Sequence, residues 1–210
     1  MAEKIIDRCS RLNILDEEDD VADLNEVVGE KEEEKLALTL VGRVLIVRTY
    51  NFEALQKTLK QIWPLSKGAV FRTIESNLFA IQFFHWKDKE KVLAGAPWSF
   101  DQNLIILKEI AGDEQPSTVN LNHCPFGMRL YNLPFDCRSN ADTIFIAQKI
   151  REVLEIEDDD IGWEKSRRVR ILLDVNKPLR RVQRIKNKKG DIFSVNLKYK
   201  RLPIFVSLLA

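Results

Sequence analysis

The sequence predicts an α+β protein, and three observations carry that expectation. Apolar residues alternate at a period of two through several short runs, and they recur at helical spacing in a few others. The changes of pattern fall at Asn, Ser, Gly and Pro, the residues that cap helices and turn chains. From Leu36, "LALTLVGRVLIV" is β-rich, with Gly42 expected to mark a bulge or bend. Phe52, Leu55, Leu59 and Ile62 then lie on one helical face behind Asn51, a good N-cap. Pro64 stops that helix near Trp63, because the residue before proline is pushed out of helical geometry. "GAVFRTIES" and "NLFAIQFFH" read as two strands about a turn at Ser76-Asn77. Asp88 to Ala94 reads as a short helix ended by Gly95 and Pro97, and "NLIILKEI" as a strand. Strand, helix, strand, strand, helix, strand is the order of a split βαβ sandwich, ferredoxin- or RRM-like, over residues 35–110.

Residues 111–120, which include "AGDEQPST", are polar and read as a linker. A smaller α+β module is expected over 121–203. It opens with a strand at "FGMRLYNLP", and Ser139 or Asn140 caps a helix with Ile144, Ala147, Ile150 and Leu154 on its apolar face. Glu155 to Asp160 reads as an acidic loop. In "RVRILLDV", Val169, Ile171, Leu173 and Val175 share one face, and Arg168, Arg170 and Asp174 the other. A basic β-hairpin follows, turning at "NKKGD", where Gly190 supplies the positive φ. Its return strand points Phe193, Val195, Leu197 and Tyr199 inward and Ser194, Asn196, Lys198 and Lys200 outward. No sequence repeat relates the two modules.

Charge is segregated. The net charge is only +1, yet residues 1–34 hold 13 Asp/Glu against 4 Lys/Arg, and residues 165–201 hold 14 Lys/Arg against 2 Asp/Glu. The first segment reads as a mostly disordered acidic arm, since self-repelling charge with few apolar residues cannot repay ordering entropy. Three scattered cysteines make no disulfide framework, and the charged N-terminus lacks a signal-peptide core. No apolar run approaches the roughly 20 residues that span a bilayer. The expectation is an intracellular chain, nuclear or cytoplasmic, without a membrane partner.

Catalysis finds little support. There is no glycine-rich phosphate loop, no HExxH and no nucleophile elbow. His85 and His123 are the only histidines, and no CxxC completes a zinc tetrahedron, so neither metal nor other cofactor is expected. No small-molecule substrate is implied. In "NLFAIQFF" the residues Phe79, Ile81 and Phe83 share a face without the glycines that flank base-stacking aromatics, so that face reads as core. The basic segment is different. Arg167, Arg168, Arg170, Arg180, Arg181, Arg184, Lys186, Lys188, Lys189, Lys198, Lys200 and Arg201 fall on two strands and a hairpin. Such a ribbon suits phosphates, and a surplus of that size favours a polyanionic partner over a merely solvated surface. A nucleic-acid interface is therefore expected there.

Several words of the sequence also resemble a known family: "RLNILDEEDD", "NFEALQKTLKQIWPLSKG", "NLFAIQFFHWKDKEKVLAGAPWSFDQNLIILKE", "LNHCPFGMRLYNLP" and "RVRILLDVNKPLRR…KYKRLP". Together they resemble the plant domain of unknown function found in retrotransposon-derived, gag-like zinc-knuckle proteins of LINE type. The block Asn77 to Glu109 is the most specific. The resemblance implies RNA-associated ancestry, and in that family a CCHC knuckle follows the "YKRLP" residues. Here Lys200, Arg201, Leu202, Pro203 and Phe205 are kept, but no Cys or His follows Cys137, so 204–210 reads as a divergent tail without zinc. The resulting expectation is a non-enzymatic, sequence-tolerant binder of single-stranded nucleic acid, RNA rather than DNA. The alternatives are a self-associating protein-interaction module, whose basic hairpin docks the acidic arm of another copy, and a decayed transposon remnant.

Overall fold

The computed structural model describes residues 30–46, 48–112, 114–115, 118–157 and 164–203. Most of the acidic arm and the tail 204–210 therefore lie outside the described residues. The chain divides into two units, Met1–Glu34 and Lys35–Ala210. The end of the expected disordered arm is helical: α1 covers Glu30–Ala37. The backbone then turns into β1 (Thr39–Val44), with Thr39 Oγ1 donating to the Lys35 carbonyl at 2.7 Å.

The first module follows its expected order. Helix α2 (Phe52–Ile62) starts where Asn51 Oδ1 accepts the Ala54 N–H at 3.0 Å. It stops at Trp63, which is extended as the residue before Pro64 must be. Strands β2 (Ala69–Thr73) and β3 (Leu78–Phe83) form a hairpin, followed by α3 (Trp86–Ala94) and β5 (Asn103–Glu109). A short strand escaped the sequence reading: β4 (Trp98–Phe100) folds back on β5. The antiparallel sheet runs β2-β3-β1-β5-β4, the split βαβ order with one extra edge strand. Leu40, Phe79, Ile81, Phe83 and Ile105 are buried with Leu55 and Leu59 of α2 and Val92 of α3. Phe79, Ile81 and Phe83 are thus core, as expected.

Gly42 makes no bulge. It pairs in unbroken register with Phe79 and Leu107, and a Cβ there would lie 2.5 Å from the Phe79 ring. The glycine is a berth for an aromatic ring, which a pattern of residue types does not distinguish from a bend.

Asp88, in the first turn of α3, ties the helix to the loop before β2. Its carboxylate accepts from Ser66 N (3.0 Å), Ser66 Oγ (2.9 Å) and Lys67 N (2.8 Å). These bonds, led by the Ser66 amide, hold its pKa at about 2 against the desolvation that would raise it. The folded value lies below the ordinary carboxylate value of about 3.9, so Asp88 contributes stability that is complete above roughly pH 4. That contribution is lost as pH falls through the folded value. Asp88→Ala should cost about 2 kcal/mol or more at neutral pH, because buried donors lose a charged acceptor. Paired melts of both proteins from about pH 6 down to about pH 2 should show the gap closing. A gap constant across that range would disprove the assignment.

The second module is built from β6 (His123–Tyr131), a 3-10 turn at Phe135–Cys137, α4 (Asn140–Gln148), β7 (Glu152–Ile156), β8 (Ser166–Asp174), β9 (Val182–Lys186) and β10 (Ile192–Tyr199). Ser139 Oγ accepts the Asp142 N–H at 3.1 Å and caps α4. The expected apolar helix face is partly wrong. The helix ends at Gln148, Thr143, Ile146 and Ala147 are its buried residues, and Leu154 lies exposed on β7. The start of the expected acidic loop, Glu155 and Ile156, is strand. Ile150 and Leu154 are four residues apart, which mimics a helix, but a turn at 149–151 separates helix from strand.

The sheet order, β7-β8-β6-β10-β9, repeats that of the first module strand for strand. The sequences share no repeat, but the topologies do. One part differs: where α3 links β3 to β4, residues 175–181 cross from β8 to β9 without a helix, burying Val175 and Leu179.

Described residues of the expected linker 111–120 make contacts with the modules on either side. Lys108 pairs with Glu114 at 2.8 Å, and Val119, with Leu121 just after it, is buried. These two join Val41, Leu78, Leu104 and Ile106 of the first sheet and Cys124, Phe126 and Met128 of the second in one buried cluster. The face of the first sheet turned away from its helices is thereby built into the interior. Among the described residues, no helix is long and apolar enough to cross a membrane.

Candidate nucleic-acid interface

Alternation along β6 and β8 gives the second sheet two unlike faces. Cys124, Phe126, Met128, Leu130, Val169, Ile171 and Leu173 point into the core. The opposite face carries Arg129 and Tyr131 from β6, Arg168 and Arg170 from β8, and Lys198 from β10. Arg168 is paired with Arg129 across β8 and β6, and Arg129 with Lys198 across β6 and β10. Three cations therefore stand in one row across adjacent strands, where like charges are mutually destabilising. Farther along, Ser194 of β10 is paired with Arg184 of β9. The Lys198 ammonium sits 5.1 Å from the Tyr131 ring centroid. Hydrogen bonds with Arg129 and then Ser166 draw the Tyr131 phenol below its ordinary pKa.

The twelve expected contact residues separate into two groups. Arg167 is not on the surface: it is 1% exposed and its guanidinium bonds the Asn140 side chain. It has the parity of Val169 and Ile171, so strict alternation turns it inward. Arg170 is on the outer face, but its guanidinium donates to the Ala94 carbonyl at 2.6 Å and the Leu93 carbonyl at 3.2 Å. It closes the C-terminal end of α3, where unpaired carbonyls and the helix dipole favour a cation. Arg201, with φ at 56°, reaches the Gly95 carbonyl beside it at 3.4 Å. Arg168 is ion-paired with Glu157 at 2.8 Å and Glu164 at 3.4 Å. Arg180 donates to the Lys149 carbonyl and to Gln183.

Arg181, Arg184, Lys186, Lys188, Lys189, Lys198 and Lys200 are exposed, and among the described residues none has a carboxylate partner. Lys188 and Lys189 ride the hairpin turn. There Asn187 Oδ1 accepts from the amides of Lys189 (3.0 Å) and Asp191 (2.8 Å), and Gly190 has φ of 98°. Lys200 lies across Gly127 and donates its amide to the Gly127 carbonyl at 2.8 Å. Gly127, Arg129, Arg168, Arg170 and Lys200 line a shallow groove of about 360 Å³, with Glu155 and Glu157 on its far side. Arg129 and Tyr131 were missed by the sequence reading. The alternation of "CPFGMRLY" carries the signal, since Cys124, Phe126, Met128 and Leu130 go inward and leave both outside.

Neither described thiol is poised as a nucleophile. Burial drives Cys124 up to about 12, and burial followed by the Asp136 carboxylate raises Cys137. Among the described residues, no three His, Cys, Asp or Glu side chains gather as a metal site would require.

Among curated proteins, none matches this chain. Among solved structures, a similar chain comes from an SXL-lethal protein/RNA complex; it is 11% identical, with 78% of this chain and 98% of that chain covered, at a TM-score of 0.30. Residues 32–118 match the family described as Domain of unknown function (DUF4283), which takes in the first module and its connection to the second.

Proposed function

We propose that the chain binds single-stranded nucleic acid, RNA in preference to DNA, without strong sequence preference and without catalysis. The supporting observation is the cationic row Arg168, Arg129 and Lys198, continued by Arg184, Lys186 and the hairpin tip, in which only Arg168 is answered by carboxylates. A phosphate backbone relieves that repulsion, and Tyr131, two residues along β6 from the centre of the row and beside the Lys198 ammonium, offers one ring for a base. The equivalent face of the first sheet is closed to bases by Val41, Leu78, Leu104 and Ile106. The second sheet therefore carries the contact. A gag-like, LINE-type plant ancestry belongs to the same reading and is supported by the sequence words quoted above.

The test is a gel-shift series across salt with RNA and DNA single strands. Each neutralised phosphate contributes about −0.7 to the slope of log K against log salt. Lys188→Ala with Lys189→Ala should reduce that slope by roughly one unit or more, equally for different sequences. The melt should not change, because a polar turn beside Gly190 tolerates exchange. Binding indifferent to salt and to these changes would remove the hairpin from the interface and favour the self-association reading.

A further inference from the structure

The inner side of the second module has a groove that shares only the edge-strand cations Arg184 and Lys186 with the cationic face. Its volume is about 510 Å³, within the roughly 300–1,000 Å³ of binding clefts, and it lies between α4 and β9. Helix α4 and its C-cap Lys149 send Asp142, Phe145, Ile146 and Lys149 into it, at the i, i+3, i+4, i+7 spacing of one helical face. Phe145 is 61% exposed there, an uncovered aromatic beside Ile146 and Ile185. The Lys149 ammonium lies 5.0 Å from the Phe145 ring centroid. The first module shows what normally closes this side of the fold. There a second helix, α3, is part of the buried core through Val92, whereas the second module crosses with residues 175–181 alone.

The rim states what kind of occupant fits. Lys149, Arg180, Arg184 and Lys186 surround the apolar floor, and the single carboxylate, Asp142, is engaged by the Ser139 hydroxyl at 2.5 Å. We infer that the groove between α4 and β9 docks an amphipathic acidic helix of a partner protein, which supplies the helix missing from the second module. Its apolar stripe covers Phe145, Ile146 and Ile185, and its flanking carboxylates meet the four cations. The row Arg168, Arg129 and Lys198 is on the other side of the same sheet; Arg184 and Lys186, on the edge strand β9, border both surfaces, whereas Phe145, Ile146 and Lys149 belong to the groove alone.

The probe is a labelled helical peptide with leucines at i, i+3, i+4 and i+7 and flanking glutamates. Its twin carries lysines in place of the glutamates. The full chain should bind the acidic peptide saturably, with amide shifts concentrated in Asn140–Gln148 and Val182–Lys186. Phe145→Ser should weaken binding at least tenfold without moving the melt, because the ring is exposed. Lys149→Glu should weaken the acidic peptide and strengthen the lysine twin. Three results overturn the proposal: no saturable binding, equal binding of the two peptides, or shifts outside α4 and β9. A single-stranded RNA that displaces the peptide and shifts the α4 amides, Asn140–Gln148, would also overturn it, reassigning the groove to nucleic acid. Loss of salt-dependent RNA binding alone touches only the other face.

Discussion

Phe83→Ala should lower the melting temperature by about 10 °C and leave nucleic-acid binding intact below that temperature. Phe83 is 1% exposed at the end of β3, its ring centroid 6.3 Å from that of Trp63, which in turn stacks on Phe71 at 5.9 Å. Removing a buried phenylalanine loses its transfer free energy and leaves a cavity, together about 3–5 kcal/mol. In a chain of this size each kcal/mol moves the midpoint by roughly 2–4 °C. The ring faces α2 and α3, so the outer cations keep their positions. An unchanged melt with lost RNA binding would make this face a stacking platform instead of core.

Arg167→Ala should behave like a core mutation in spite of its charge. The side chain is buried at the start of β8 and bonds Asn140, the first residue of α4. Truncation removes both the packing of its long stem and the tie between strand and helix, at a cost of about 3 kcal/mol. The expected melting shift is several degrees. Arg184→Ala with Lys186→Ala, on the exposed edge strand, should leave the melt in place and weaken RNA binding. A melt insensitive to Arg167→Ala, with RNA binding reduced as in the edge-strand pair, would put Arg167 back among the phosphate contacts.

Arg167 and Arg170 show where the sequence is legible. Wherever one local rule acts alone, reading residues in order succeeds. Asn51 and Pro64 bound α2 because capping and proline sterics are local, and Gly190 turns the last hairpin because only one φ is at stake. The alternation of β10 gives its faces without ambiguity. Reading fails where a distant neighbour decides. Gly42 answers to Phe79, which lies across the ladder, and Arg170 to the end of a helix 76 residues away. Tertiary demand of this kind leaves no periodic trace. Arg167 is an intermediate case, since the parity of β8 already turned it inward and only its charge argued otherwise. The hairpin cations were legible as a charge cluster. For Arg129 and Tyr131 the alternation gave only an outward face, because an isolated cation and ring gain meaning only once β8 and β10 flank them.

The closed face of the first sheet has a consequence for how the chain comes apart. Val41, Leu78, Leu104 and Ile106 lie in the same interior as Val119, Leu121 and Phe126, and Arg170 and Arg201 reach across to the end of α3. Neither half can melt without opening the other's interior to water. Residues 35–203 therefore unfold as one cooperative block, in which calorimetric and van't Hoff enthalpies agree, although the topology holds two copies of a fold elsewhere able to stand alone. A segment cut at the limits of the family match, 32–118, keeps β1 to β5 but leaves four aliphatic side chains on an open sheet surface. Such a fragment is driven to cluster with its own kind, and the smallest piece with a soluble life of its own extends through β10.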